Sequence, residues 1–159
     1  FHRIKKNRQE LMRAVVQRTT AASVTVDLEV IGEIGTGLVV FLGVEEGDTE
    51  QDLTYICEKV LGLRVFDDAN EIPNMSVEDV NGSILLVSQF TLLADARKGR
   101  RPSYIRAARP ETAIPLYEEA IRKFSARVTV AHGVFQAYMQ VKLVNDGPHT
   151  ILLDSHKTF

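Results

Sequence analysis

The sequence predicts an α+β fold, in which mainly antiparallel strands form a barrel-like or sandwich arrangement with two helices on the outside. Several short segments rich in β-branched residues alternate apolar and polar side chains, which is typical of strands with one buried face. Two segments have helical spacing, and the strands come in runs rather than in a repeating strand–helix–strand series. A length of 159 residues, of which 45% are hydrophobic, suits one domain with a single core.

The first eleven residues, "FHRIKKNRQEL", differ in character from the rest of the chain. They hold four basic residues against one acidic residue, whereas the whole chain has a net charge of −2. Met12 then opens a strand-like segment, "MRAVVQR". A mitochondrial presequence would also be basic, but this stretch is very short and has no serine. We therefore interpret residues 1–11 as a leader, tag or vector-derived tail and residues 12–159 as a single domain.

The first half of the domain predicts strands followed by a helix. "RAVVQR" and "ASVTVD" are predicted strands, with "EVIGEIG" as a hairpin partner of the second. "GLVVFLGV" is a continuous apolar run, which suits a strand buried on both faces. In "GDTEQDLTYICEKVLGL", with Asp48 or Thr49 as the cap, apolar residues recur on one helix face. Those residues are Leu53, Ile56, Cys57, Val60 and Leu61.

Cys57 is the single cysteine, which excludes an intrachain disulfide and fits a reducing compartment. Because it lies on the apolar face of the predicted helix, we expect it to pack in the core rather than to act as a nucleophile.

The second half predicts the central strand and a second helix. After a short strand, "LRVF", and a turn-rich excursion, "SILLVSQFTLLA" is predicted to form the central strand. "PETAIPLYEEAIRKF" predicts a helix that Pro110 opens at its first position, and Pro115 predicts a kink or a restart one turn later. "RVTVA" and "VFQAYMQVKLV" are the last predicted strands, and Gly147-Pro148 then marks a turn in "VNDGPHTI".

Several kinds of chemistry have no motif in this chain. The sequence lacks a P-loop, a G-x-S-x-G elbow, an H-E-x-x-H pair and a C-x-x-C pair. Its four histidines do not have the spacing of metal ligands, so we expect neither a metal nor a cofactor. No apolar run approaches the roughly 20 residues that a membrane helix needs.

The polar end of the predicted central strand is a candidate site. If the strand continues, Gln89 and Thr91 share one face and Ser88 lies on the other. An unpaired buried hydroxyl or amide costs about 1–3 kcal/mol, so these groups need partners or water. They lie either at a solvated rim of the sheet, which spacing alone slightly favours, or at the edge of a ligand site.

A basic loop follows this strand. Residues 95–109 contain an aromatic residue, Tyr104, and six basic residues: Arg97, Lys98, Arg100, Arg101, Arg106 and Arg109. Such a mixture suits a phosphate backbone and a stacked base, although a solvated surface loop explains it equally well. In an otherwise acidic body, the concentration of charge favours a local contact with nucleic acid.

Two segments resemble signature motifs of the D-aminoacyl-tRNA deacylases, also called D-tyrosyl-tRNA deacylases. "SQFTL" (88–92) is identical to the S-Q-F-T-L motif of that family, and "NDGPHT" (145–150) matches N-x-G-P-x-T. "MRAVVQR", "LGVEEGDTEQD" and "RKGRRPS" are also similar in order and approximate spacing, so the resemblance covers residues 12–154.

The resemblance implies a cytoplasmic homodimer that hydrolyses the ester between a D-amino acid and the 3′-terminal adenosine of tRNA, without a cofactor. It implies that catalysis takes place at the dimer interface, along Ser88, Gln89, Phe90 and Thr91. It also implies a cis Gly147-Pro148 bond in one subunit whose carbonyls screen the chirality of a substrate bound to the other. A filter of this kind would tolerate glycine, so glycyl-tRNA is an expected second substrate.

Supporting roles follow from the same resemblance. Asn145 and Thr150 belong to the filter motif, and Arg18 is expected to brace the Gly-Pro segment from the first strand. Contacts with tRNA are expected from Arg97, Lys98, Arg100 and Arg101. Thr91 is not expected to be a nucleophile, because no histidine or aspartate stands beside "SQFTL" to take its proton.

Three departures from the family pattern are visible, one of which is a short segment between the second helix and "RVTVA". His149 stands where valine is common, and Gln136 stands where glycine is expected. Two alternative functions remain at this point: a related deacylase with relaxed chirality, and a non-catalytic RNA-binding dimer of the same fold.

Overall fold

A computed structural model describes residues 11–159, which form eight strands and two α-helices. The strands are β1 (Arg13–Val26), β2 (Glu29–Ile34), β3 (Gly37–Gly43), β4 (Phe66–Asp67), β5 (Pro73–Met75), β6 (Ser83–Ser88), β7 (Thr129–His132) and β8 (Gln140–Asp154). The helices are α1 (Glu50–Gly62) and α2 (Pro110–Ser125). The predicted tail lies outside the described residues except for Leu11, so its interpretation stays a prediction.

Six strands form one mixed sheet, whose order is β2-β1-β3-β6-β7 with β8 paired to β1. The long strand β1 pairs with β3 and then β2 along one edge, and with β8 along the other edge. Gly32 of β2 approaches the backbone of His132 in β7 so closely that an added Cβ would lie 3.2 Å from the His132 carbonyl oxygen. The sheet is therefore nearly closed, and the predicted α+β fold is confirmed.

One part of the prediction was wrong, namely that the strands come in antiparallel runs rather than in a strand–helix–strand series. β6 pairs in parallel with both β3 and β7, whereas the pairings of β1 are all antiparallel. A parallel pair needs a crossover connection, and α1 and α2 lie in the two crossovers. The small β4-β5 hairpin lies inside the first crossover, so the sequence between β3 and β6 does not have a simple strand–helix–strand pattern.

The larger apolar core lies between the sheet and the two helices, and a smaller one lies on the opposite face of the sheet. The five apolar residues predicted for α1 are all buried. The carboxylate of Asp52 accepts hydrogen bonds from the Thr49 backbone N–H at 2.8 Å and from the Thr49 hydroxyl at 3.1 Å, so the predicted cap is present. Burial raises the pKa of the Cys57 thiol to about 12, as expected of a packing residue.

Two predicted boundaries were wrong. β6 ends at Ser88, and Phe90–Leu93 form a single 3-10 turn instead of continuing the strand. β8 begins at Gln140, because residues 133–139 form a turn in which Gln136 has a φ of 66°. Since this left-handed conformation favours glycine, it accounts for the glycine expected at that position.

The predictions for the two prolines also need correction. Pro115 lies inside α2, which continues past it without interruption, so the helix does not restart there. Gly147-Pro148 does not turn the chain between two strands, because β8 continues through both residues. Instead, Gln17 pairs with Thr150 while Thr19 pairs with Asn145, so four residues of β8 bulge opposite the single residue Arg18 of β1. We call residues 145–150 the Gly-Pro bulge.

Within residues 11–159, no helix is long and apolar enough to cross a membrane. No group of side chains in the same range could hold a metal ion.

Candidate active site

A groove with a volume of about 1010 Å³ lies at the end of β6. Its walls come from β3, from the end of β6, from the start of α2 and from the turn at residues 135–139. The four predicted catalytic residues, Ser88, Gln89, Phe90 and Thr91, all line it. We call residues 88–92 the S-Q-F-T-L turn.

Backbone hydrogen bonds explain why the chain turns here. The Gln89 N–H donates to the Leu42 carbonyl at 2.8 Å, and the Gln89 carbonyl then accepts from the Leu92 N–H at 3.2 Å. Arg13 donates from Nη1 to the Leu92 carbonyl at 2.9 Å, and Leu93 is buried below. A Cβ on Gly43 would lie 2.6 Å from the Leu93 side chain, so glycine lets the turn pack closely against β3.

The N-terminal half of the turn faces outward. Phe90 is 57% exposed, and its ring meets the Tyr104 ring edge to face at a centroid distance of 5.1 Å. The backbone N–H groups of Phe90 and Thr91 are the first of the 3-10 turn and therefore have no acceptor inside it. Two such donors beside an apolar groove can stabilise a developing negative charge on a bound ester.

The Thr91 hydroxyl has an amide as its neighbour. It accepts a hydrogen bond from Gln89 Nε2 at 3.0 Å. Among residues 11–159, no histidine or carboxylate bonds to this hydroxyl. The geometry therefore offers no base to make Thr91 a nucleophile.

Tyr117 at the groove wall escaped the sequence reasoning. Its buried hydroxyl donates to the Leu86 carbonyl at 3.0 Å and lies 3.4 Å from the Gly133 carbonyl, so it links α2, β6 and the turn at residues 133–139. Burial raises the pKa of Tyr117, which keeps the phenol protonated. Only its helical spacing was visible in the sequence, and that spacing also fits an ordinary core residue.

The basic loop is closed at its base by Asp95 and Ser103. Their backbones exchange two hydrogen bonds of 2.8 and 2.9 Å. Arg97 pairs in a bidentate manner with the Asp95 carboxylate at 2.9 and 2.7 Å, and this pairing lowers the pKa of Asp95. Lys98, Arg100 and Arg101 are exposed. Of the four predicted tRNA contacts, Arg97 therefore already has an acidic partner within the loop.

The Gly-Pro bulge is held by its own side chains. Asn145 donates from Nδ2 to the Thr150 hydroxyl at 2.9 Å and accepts from the His149 N–H at 2.8 Å, which spans the bulge from end to end. The Gly147-Pro148 peptide bond is cis, as predicted. Gly147 has a φ of 127°, a region that favours glycine.

Arg18 lies beneath this bulge. It donates from Nη1 to the Val65 carbonyl at 2.6 Å and from Nε to the Asp146 carbonyl at 3.3 Å, and it pairs with the Asp146 carboxylate at 3.4 Å. Its side chain is 15% exposed. A Cβ on Gly147 would lie 3.2 Å from Arg18 Nη2, so the guanidinium and the bulge are packed against each other.

Comparison with known proteins identifies the family. The family described as D-Tyr-tRNA(Tyr) deacylase matches residues 15–154. This chain belongs to that family. A D-aminoacyl-tRNA deacylase from Syntrophotalea carbinolica is 58% identical over 149 residues, which cover 93% of this chain and all of the relative. A D-aminoacyl-tRNA deacylase from Desulfitobacterium hafniense is 57% identical with the same coverage.

A solved structure supports the fold of this deacylase family member. The protein described as "c-Myc DNA Unwinding Element Binding Protein" has a TM-score of 0.85 and 42% identity, and the match covers 89% of this chain and 97% of that one.

The two motifs of the deacylase chain do not meet at this groove. The groove is lined by residues of the S-Q-F-T-L turn but by none of the described residues 145–150. The Gly-Pro bulge instead lies on β8, next to β1 and the start of β4. A single chain therefore presents a groove at one place and a braced backbone bulge at another.

Proposed function

We propose that this protein hydrolyses the ester bond between a D-amino acid and the 3′-terminal adenosine of tRNA. The observation that carries the proposal is the S-Q-F-T-L turn, which places Phe90 and Thr91, whose N–H groups have no acceptor in the turn, at the wall of an apolar groove. Membership of the deacylase family supports the same reaction. The groove would hold the adenosine and orient the ester toward those donors, and the reaction would take place in the cytoplasm.

In this mechanism the protein contributes positioning and electrostatic stabilisation. A water molecule attacks the ester carbonyl, and the N–H groups of Phe90 and Thr91 stabilise the resulting oxyanion. The Thr91 hydroxyl is engaged by the Gln89 amide and does not attack. The 2′-hydroxyl of the terminal ribose, vicinal to the ester, activates or positions the water. Collapse of the tetrahedral intermediate releases the D-amino acid and leaves the 3′-hydroxyl on the tRNA.

The site is completed by a second copy of the chain. The outer edge of β8 has no partner strand within residues 11–159, so it is available for association. The Gly-Pro bulge of one subunit would then reach the groove of the other, where its carbonyls accept hydrogen bonds from the substrate's α-ammonium group. Sedimentation should give a dimer, and an active monomer would contradict this arrangement.

Chirality follows from such a filter. A carbonyl pair that fixes the ammonium group directs the side chain of an L-amino acid into the bulge, where it is excluded. Asn145, Thr150 and Arg18 would keep the bulge in shape through the hydrogen bonds described above. Because glycine has no side chain to exclude, glycyl-tRNA should also be hydrolysed.

The basic loop would bind the tRNA backbone. Lys98, Arg100 and Arg101 are exposed cations on a loop that starts directly after the S-Q-F-T-L turn. Phosphate contacts from this loop would place the acceptor end over the groove.

Incubation with D-Tyr-tRNA and with L-Tyr-tRNA tests the proposal. We expect release of the D-amino acid alone. Release of both amino acids would support the deacylase with relaxed chirality, and release of neither would support the RNA-binding dimer. Glycyl-tRNA in the same assay tests whether the filter reads only the presence of an L side chain.

A further inference from the structure

We propose that Tyr104 is a positioning residue for the S-Q-F-T-L turn. The edge-to-face contact of its ring with Phe90 fixes the end of the turn that carries the Phe90 and Thr91 N–H groups. The inference rests on the proposed function, because it assigns to Tyr104 the alignment of the donors that this function uses.

The two ends of the turn are held differently. At its C-terminal end, Leu93 is buried and the Leu92 carbonyl is bonded to Arg13. At its N-terminal end, the Gln89 N–H is bonded to the Leu42 carbonyl, but more than half of the following residue, Phe90, is exposed. The Phe90 ring contacts the Tyr104 ring, at a centroid distance of 5.1 Å and an interplanar angle of 71°. Edge-to-face aromatic pairs contribute a specific orientation beyond the burial of area.

Tyr104 is itself fixed on both sides. The preceding residue, Ser103, exchanges two backbone hydrogen bonds with Asp95, and the Tyr104 carbonyl accepts from the Ala107 N–H at 3.0 Å. Two residues later, Arg106 pairs with the buried carboxylate of Glu45. Tyr104 therefore lies between two anchored points, and its ring can act as a fixed support.

The ring, rather than the hydroxyl, carries the proposed role. Within residues 11–159, no hydrogen bond involves the Tyr104 hydroxyl, so Tyr104→Phe should keep the contact. Tyr104→Ala removes it. Ile105→Ala is the matched control, because Ile105 is the next residue, is more exposed than Tyr104 and has an aliphatic side chain.

The test measures hydrolysis of two substrates, D-Tyr-tRNA and the 3′-D-tyrosyl ester of adenosine, which lacks the tRNA body. We expect Tyr104→Ala to lower kcat by roughly threefold to tenfold on both, the range that corresponds to one aromatic pair. Tyr104→Phe and Ile105→Ala should stay within about twofold of the parent on both. A loss on D-Tyr-tRNA alone would mean that Tyr104 contacts tRNA and would overturn the inference, as would an unchanged kcat.

A second measurement does not depend on activity. The backbone order parameters of Phe90 and Thr91 should fall in Tyr104→Ala but not in Ile105→Ala, because the ring fixes those two residues. Unchanged order parameters would overturn the inference whether or not the parent hydrolyses either substrate. A parent that hydrolyses neither would count against the proposed function alone.

Discussion

The S-Q-F-T-L turn and the Gly-Pro bulge are both short, polar and exposed, but they satisfy their polar groups in different ways. In the bulge, Asn145 bonds across to Thr150 and His149, and Arg18 braces the segment from below. In the turn, the N–H groups of Phe90 and Thr91 have no acceptor in the turn itself. The hydrogen bonds of the bulge stabilise one backbone conformation, whereas the turn presents two N–H donors without acceptors.

The difference suggests separate tasks for the two motifs. A segment whose N–H groups have no acceptor can stabilise a negative charge that develops in a neighbouring groove during a reaction. A segment whose side chains bond to one another can hold its backbone carbonyls in fixed positions. In both proposed roles the backbone contacts the substrate, and the side chains keep the backbone in position. The predictions below break one side of this comparison at a time, beginning with the largest expected effect.

The largest effect should come from the substrate rather than from a side chain of the turn. Hydrolysis of D-Tyr-tRNA whose terminal ribose lacks the 2′-hydroxyl should fall by about 10²–10⁴-fold, the size expected for a catalytic group. Thr91→Ala should keep most of its activity on the normal substrate. Both rates come from single-turnover assays, and a trapped acyl-Thr91 intermediate would contradict the account.

Removal of the Phe90 N–H donor should slow hydrolysis almost as much as removal of the 2′-hydroxyl. Phe90→Pro deletes the Phe90 N–H, and Gln89 already has the extended conformation, φ −146° and ψ 92°, that a residue before proline prefers. Phe90→Ala is the control, because it removes the same ring but keeps the N–H. We expect Phe90→Pro to be about 10²–10³-fold slower than Phe90→Ala in kcat. Equal rates would show that this donor is not used.

Removal of the Arg18 side chain should lower the selectivity for D-amino acids over L-amino acids. Arg18→Ala leaves the Asp146 and Val65 carbonyls without their donor, at a cost of about 1–3 kcal/mol in the free energy of unfolding. The ratio of D-Tyr-tRNA to L-Tyr-tRNA hydrolysis should fall by roughly tenfold, an effect of similar free energy. Arg64→Ala serves as the control, since Arg64 is exposed. A lower stability with an unchanged ratio would limit Arg18 to a structural role.

The smallest effects are expected in the basic loop, outside both motifs. Neutralising Arg100 should reduce the slope of log affinity for tRNA against log salt concentration by about 0.7–0.9, as one lost phosphate contact does. Arg97→Gln should change the slope less, because Arg97 already pairs with Asp95. Binding titrations at several salt concentrations measure both slopes. Equal slopes in the parent and in Arg100→Gln would show that the loop is only a solvated surface.

The sequence predicted the α+β class, the first helix with its cap, and the place of both motifs. The alternation of apolar and polar residues could not show that β6 ends at Ser88. That ending depends on the hydrogen bond from the Gln89 N–H to the Leu42 carbonyl and on the small residue Gly43. The alternation also could not show the parallel pairings, which depend on contacts between segments far apart in the chain. The sequence also could not show that Asn145 bonds across the bulge to Thr150, because the bulge depends on the register of β8 against β1.

A mixing experiment tests the central claim that each site combines the turn of one subunit with the bulge of another. One variant is Phe90→Pro, which disables the turn. The other is Gly147→Val, which places a branched side chain where φ is 127° and where an added Cβ would lie 3.2 Å from Arg18 Nη2. Circular dichroism of each variant confirms that it folds. The two proteins are denatured together, refolded and assayed on D-Tyr-tRNA and L-Tyr-tRNA.

A mixed dimer contains one site with an intact turn from the Gly147→Val chain and an intact bulge from the Phe90→Pro chain. We predict D-selective hydrolysis well above the sum of the two separate variants. If turn and bulge acted within one chain, no intact site would form, and a mixture no more active or selective than that sum would contradict the account.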